Sequence, residues 1–219
     1  MIGKEIYGKI VGINLRHNFL MPFASALGVL LLTLLMFNVT ALQSREAAKP
    51  IEFLLCFIGV TLLVPIFLPE QDKNIRDVIC AKKINYFNIL VIRILYSVVT
   101  MVILIAFFIV IMKVCESEVT VKHLIGGIAS AWFLGAVGFA AAGITDNVTV
   151  GYMTAMLYYL ANYGMKDKVG KFFLFPMSYL GRFDESGWLI FGAVVLMVAT
   201  LGICRQRGHT AGRFKLTIR

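Results

Sequence analysis

From Leu124 to Met165 the chain runs 42 residues with Asp146 as its one ionisable acid or base, tyrosines aside. Few folds accept such a stretch. A soluble domain is about 25 % charged, and this chain of 219 residues is 15 % charged and 59 % hydrophobic. A bilayer accepts it readily, because about 20 apolar residues cross the hydrocarbon core as one helix. The apolar runs are apolar on every side, whereas barrel strands alternate apolar and polar residues. Backbone groups in lipid must bond internally, so these runs read as helices.

Six candidate spans follow: residues 18–39, 51–68, 89–112, 124–143, 148–163 and 187–204. The second is bounded by Glu52 and Glu70, and the third carries Arg93 near its start. The fourth and fifth are separated only by GITDN and must form a tight antiparallel hairpin. Asp146 and Asn147 there read as a turn with helix capping. Gly126, Gly127, Gly135, Gly138 and Gly143 in the fourth span read as close-packing positions.

Lysine and arginine set the orientation. With the N-terminus cytoplasmic, the inner segments hold twelve basic residues and the outer loops eight, Arg93 uncounted. This favours both termini inside. The formal net charge of +9 then acts on orientation and anionic lipid, not on nucleic acid. The first apolar run is too long for a signal-peptide core and lacks a small-residue cleavage motif. Cys56, Cys80, Cys115 and Cys204 show no pairing or metal spacing and read as unpaired thiols.

Three segments outside the spans carry information. In residues 1–17, Ile2, Ile6 and Ile10 recur at helical spacing among Lys4, Lys9 and Arg16. That pattern fits an amphipathic helix lying in the cytoplasmic interface, or a basic N-terminus obeying the positive-inside rule. Residues 205–219 form a basic cytoplasmic tail. Before the last span, YGMKDKVGKFFLFPMSYLGRFDESG is too short to cross twice and too apolar for water. It reads as a re-entrant pair of short helices broken near Pro176, or as an aromatic-rich loop packed over the bundle. In the first form Phe172, Phe173, Phe175, Tyr179 and Phe183 would anchor it at headgroup depth.

The segment PEQDKNIRDVICAKKIN, residues 69–85, places charge between two apolar walls. Ile75, Val78 and Ile79 give one side, and Lys73, Arg76, Asp77, Lys82 and Lys83 the other. This is a short amphipathic helix on the cytoplasmic side, suited either to docking a partner or to resting on lipid and its own bundle. Pro65 and Pro69 should kink and close the helix that precedes it.

The whole organisation resembles the permease subunit of an ABC-2-type transporter. That family has an elbow helix before the first span, six spans, a charged cytoplasmic segment between spans two and three, and a re-entrant outer element before the last. The expected fold is therefore an all-α membrane protein with six transmembrane helices, spanning 18–204. The resemblance covers essentially the full chain and is organisational. Residues Ala81–Ile84 depart from the family's Ser-Lys-Pro turn, and the first external loop is compact. It implies that Ile75, Arg76, Val78, Ile79, Lys82 and Lys83 couple to a separate ATPase subunit, which binds ATP and Mg. It also implies a second permease chain, identical or related, surrounding membrane lipid, an export direction and a bacterial-type inner membrane.

Arg93 near a span end either snorkels or pairs with Glu70 or Asp72 to stiffen a coupling joint. Span five, with Tyr152, Tyr159 and Asn162 on an approximate face, either lines a translocation path or packs against its neighbours. The alternative to a permease is a non-transport membrane scaffold that recruits cytoplasmic partners. Chemistry is sparse. There is no GxxxxGK[ST], HExxH or GxSxG, and His17, His123 and His209 have no metal spacing. The chain reads as no enzyme by itself, with no cofactor or metal of its own. The sequon-like NVT triplets at Asn38 and Asn147 have no supporting context.

Overall fold

A computed structural model describes residues 19–71, 86–181 and 186–216. The protein is an all-α multi-pass membrane protein. Its long helices are α1 (Leu20–Met36), α2 (Ser44–Phe67), α3 (Tyr86–Val114), α4 (Val121–Thr145), α5 (Val148–Met165) and α6 (Ser186–Leu216). The expected helices at 1–17 and 73–84 fall outside the described residues, as does Phe183.

The expectation of six spans is corrected. Four helices among the described residues are long and apolar enough to cross a membrane: Ser44–Phe67, Phe87–Val114, Val121–Thr145 and Ser186–Gln206. Two expected spans fall short for different reasons. Helix α1 has 17 residues, about 25 Å at 1.5 Å per residue, against a hydrocarbon core of about 30 Å. Helix α5 has 18 residues, but Thr149, Thr154, four tyrosines and Asn162 dilute its hydropathy. The second span also begins earlier than expected, at Ser44 rather than residue 51, and so takes Arg45, Glu46 and Lys49 into the helix.

Helix α4 is the hub. Small residues on several of its faces let neighbours approach closely. A Cβ on Gly59 of α2 would lie 1.8 Å from the Ala131 carbonyl oxygen, and one on Gly135 would lie 2.6 Å from the Gly59 carbonyl oxygen. A Cβ on Gly151 of α5 would lie 2.7 Å from the Gly138 carbonyl oxygen. The α4–α5 link is only Asp146 and Asn147. Asp146 closes α4 in the left-handed region at φ 52°, and the Asn147 Oδ1 accepts the Thr149 N–H at 2.9 Å. The outer faces of α3 and α6 expose Leu95, Ile103, Phe107, Phe191 and Val198, as lipid-facing surfaces do.

Helix α2 is irregular along its length. It runs as α-helix over Ser44–Pro50, opens into a π-helical turn over Ile51–Leu55, resumes at Phe57–Leu63 and tightens to 3-10 over Val64–Phe67. The causes are local. Pro50 and Pro65 lack N–H donors, so the regular ladder breaks around each.

One end of the bundle is knitted by its links. The Ala41 N–H donates to the Cys115 carbonyl (2.9 Å) and the Glu118 N–H to the Leu42 carbonyl (2.9 Å). Ser117 Oγ donates to the Val39 carbonyl at 2.6 Å. The Thr120 N–H donates to His123 Nδ1 at 3.1 Å, and His123 Nε2 reaches the Ser44 carbonyl at 2.8 Å. His123 is thus a capping and bracing residue between the starts of α4 and α2.

Candidate functional site

Two polar sites lie near opposite ends of α2. The first is at the knitted end, where the chain between α5 and α6 folds back onto the bundle. It forms a 3-10 segment (Lys166–Phe172) and a single π-helical turn (Pro176–Leu180). Gly170, at a break within the first segment, and Gly181, just after the turn, take φ of 73° and 64°. Those backbone angles suit glycine. Phe173, Leu174, Phe175 and Met177 are fully buried. The expected headgroup-level aromatic belt is therefore an inward-facing plug, with only Phe172 of the described phenylalanines here substantially exposed.

Three side chains from two helices hold the plug by its backbone. Glu52 accepts the Met177 N–H at 2.9 Å and the Ser178 N–H at 2.8 Å, and also the Ser178 hydroxyl. Arg45 donates through Nε to the Ser178 carbonyl at 3.1 Å and through Nη2 to the Tyr179 carbonyl at 2.6 Å. Asn162 of α5 accepts the Leu174 N–H at 3.0 Å. Glu52 is completely buried, where an unpartnered charge would cost several kcal/mol. Its three donors explain how it is tolerated. The carboxylate faces the first N–H groups of a helical turn and the guanidinium faces later carbonyls, each matching the local dipole.

Aromatic rings surround this polar core. Phe53 stacks on Phe175 with centroids 4.9 Å apart and meets Tyr179 and Tyr163 edge-on at 5.9 Å. Tyr159 stands perpendicular to Phe175 at 5.3 Å. Its hydroxyl donates to the Phe53 carbonyl at 2.9 Å, within the π-helical turn of α2.

Of the path residues expected on α5, Tyr159 and Asn162 come together beneath the plug. Both bond to neighbouring backbone, since Asn162 Nδ2 also donates to the Tyr158 carbonyl at 2.9 Å. Tyr152 is 39 % exposed and stands apart on the outer side of α5. Glu52 was legible only as a span boundary. The signal that singles it out is Arg45 seven residues earlier, two helical turns away, ahead of an apolar run.

The second site joins α2 to α3 near the residues that flank the charged segment. Arg93 is 4 % exposed and donates through Nη1 to the Ile66 carbonyl at 3.1 Å. In a 3-10 register that carbonyl would be paired with the N–H of Pro69, which proline lacks. The proline pattern thus leaves a carbonyl for the arginine. Phe19, Pro22, Pro65, Pro69 and Ser97 line the cleft around it. The Ser97 hydroxyl is buried there without a partner among the described residues. The expected partners Glu70 (its side chain) and Asp72 lie outside the described residues, as do Ile75, Arg76, Val78, Ile79, Lys82 and Lys83.

Among the described residues no cluster of three or more His, Cys, Asp or Glu side chains is arranged to hold a metal. No protein-family model matches the chain, and neither a curated protein nor a solved structure does.

Proposed function

We propose that the chain is the membrane-spanning permease subunit of an ATP-driven ABC-2-type transporter, coupled to a separate ATPase through the charged segment between α2 and α3. The observation that carries this reading is the Arg93–Ile66 contact. It ties together the two helices that flank that segment, at the point where prolines interrupt the regular ladder of α2. A pull applied at Ile75 and Ile79 therefore reaches both helices at once.

In this account the chain hydrolyses nothing itself. The partner ATPase binds ATP and Mg, and two permease chains, identical or related, form the working unit in a bacterial-type cell membrane. With the charged segment cytoplasmic, the plug, held by Arg45 and Glu52 at the other end of α2, faces outward. ATP-driven closure of the ATPases moves the segments at 73–84, and the bundle passes cargo toward the plugged end.

The test is Arg93→Leu in the complex with its native partner. Insertion and assembly should persist, while ATPase stimulation and transport fall together. Unchanged stimulation and transport in a correctly inserted protein would remove Arg93 from coupling.

A further inference from the structure

Glu52 and Arg45 hold the plug mainly by its backbone. Its Met177 and Ser178 N–H groups and the Ser178 hydroxyl satisfy a fully buried carboxylate, Glu52. Its Ser178 and Tyr179 carbonyls satisfy Arg45. Most of these contacts are to backbone, so they recognise peptide as such and not one side chain. Around them, Phe53 and Tyr159 present rings to the plug's Phe175, and Tyr163 backs Phe53. The occupant is tethered at two glycines in left-handed conformations, each with open space where a Cβ would lie.

We propose that Glu52, Arg45 and the Phe53–Tyr159–Tyr163 rings form a binding site for an apolar peptide, held in this conformation by the protein's own residues 173–180 as a tethered stand-in. A peptide entering the site must supply N–H donors to Glu52 and carbonyl acceptors to Arg45 while burying aromatic or aliphatic side chains. It competes with the plug for the same groups, and the plug swings out about Gly170 and Gly181. As the identity of a cargo this rests on the permease reading, but as a binding site it does not, because it needs only this chain.

The experiment uses the full chain in lipid nanodiscs without any ATPase, so its failure leaves the coupling question open and the reverse holds as well. The probe is a dye-labelled octapeptide of the plug's own sequence, FLFPMSYL, with a scrambled octapeptide and empty nanodiscs as controls, read by fluorescence anisotropy. Wild-type protein should bind it weakly, because the site is filled. Ser178→Pro removes two of the plug's three donors to Glu52 and should tighten binding by about tenfold or more. Adding Glu52→Gln to Ser178→Pro should abolish that gain. Ser178→Ala removes only the hydroxyl donor and should tighten binding roughly threefold. It decides the matter if the proline or glutamine variants fail to fold. Equal binding by wild type and the Ser178 variants, or binding no better than that of the scrambled peptide, overturns the proposal.

Discussion

Arg45 and Glu52, seven residues apart on α2, grip the same helical turn through opposite backbone groups. Arg45 donates to the Ser178 and Tyr179 carbonyls, and Glu52 accepts from the Met177 and Ser178 N–H groups. The pair converts two charges in a membrane-length helix into a clamp. The π-helical turn over Ile51–Leu55 widens α2 where the clamp closes. It also leaves the Phe53 carbonyl for the Tyr159 hydroxyl.

The two halves of the clamp should differ in strength. Glu52 is completely buried, whereas Arg45 lies at the rim. Glu52→Gln leaves buried donors poorly matched and should cost about 1–3 kcal/mol. Amide hydrogen exchange at Met177 and Ser178 should then quicken by roughly tenfold or more, with exchange in the middle of α4 unchanged. Arg45→Gln should have a smaller effect, about 0.5–1.5 kcal/mol. Equal exchange in wild type and the Glu52 variant would show that the carboxylate does not hold the plug.

Helix crossing at α2 and α4 should be intolerant of a single methyl group. Gly59→Ala would drive Cβ into the Ala131 backbone, which cannot yield as a flexible side chain can. The variant should lose folded protein in fluorescence-detected size exclusion. Gly28→Ala is the matched control, since nothing lies within 4 Å of its Cβ position and alanine is the better helix former by about 1 kcal/mol. It should elute as wild type does.

The polar residues of α5 should act on stability through the backbone they hold. Asn162→Leu orphans the buried Leu174 N–H and should cost about 1–3 kcal/mol. Tyr159→Phe removes one hydrogen bond to the Phe53 carbonyl and should cost about 1 kcal/mol. Tyr152→Phe, on the exposed side of α5, should leave Tm within error. Thermal unfolding in one detergent measures all three. A Tyr152 variant as destabilised as the Asn162 variant would contradict this division.

The membrane class was legible because composition alone forces it, as the run from Leu124 to Met165 shows. The glycines of α4 were legible as packing positions, and Pro65 as a break in the helix, which takes the form of a 3-10 turn. Span number was not, because counting apolar runs ignores what dilutes them. The tyrosines and Asn162 of α5 leave it short of membrane-length hydropathy, and α1 is too brief. Glu52 was misplaced for the opposite reason. A lone acid looks like a helix boundary unless its partners are known, and they lie more than 120 residues away. The same distance hid the inward turn of Phe175, which stacks on Phe53 of another helix.

Purification of the intact membrane complex with its native partners shows whether the chain works with a separate ATPase. A P-loop ATPase should copurify with the chain, and Ile75→Asp with Ile79→Asp should release that ATPase while the chain stays inserted. Recovery of the inserted chain with no nucleotide-hydrolysing partner, or retention of the ATPase by the double variant, would contradict the proposed function.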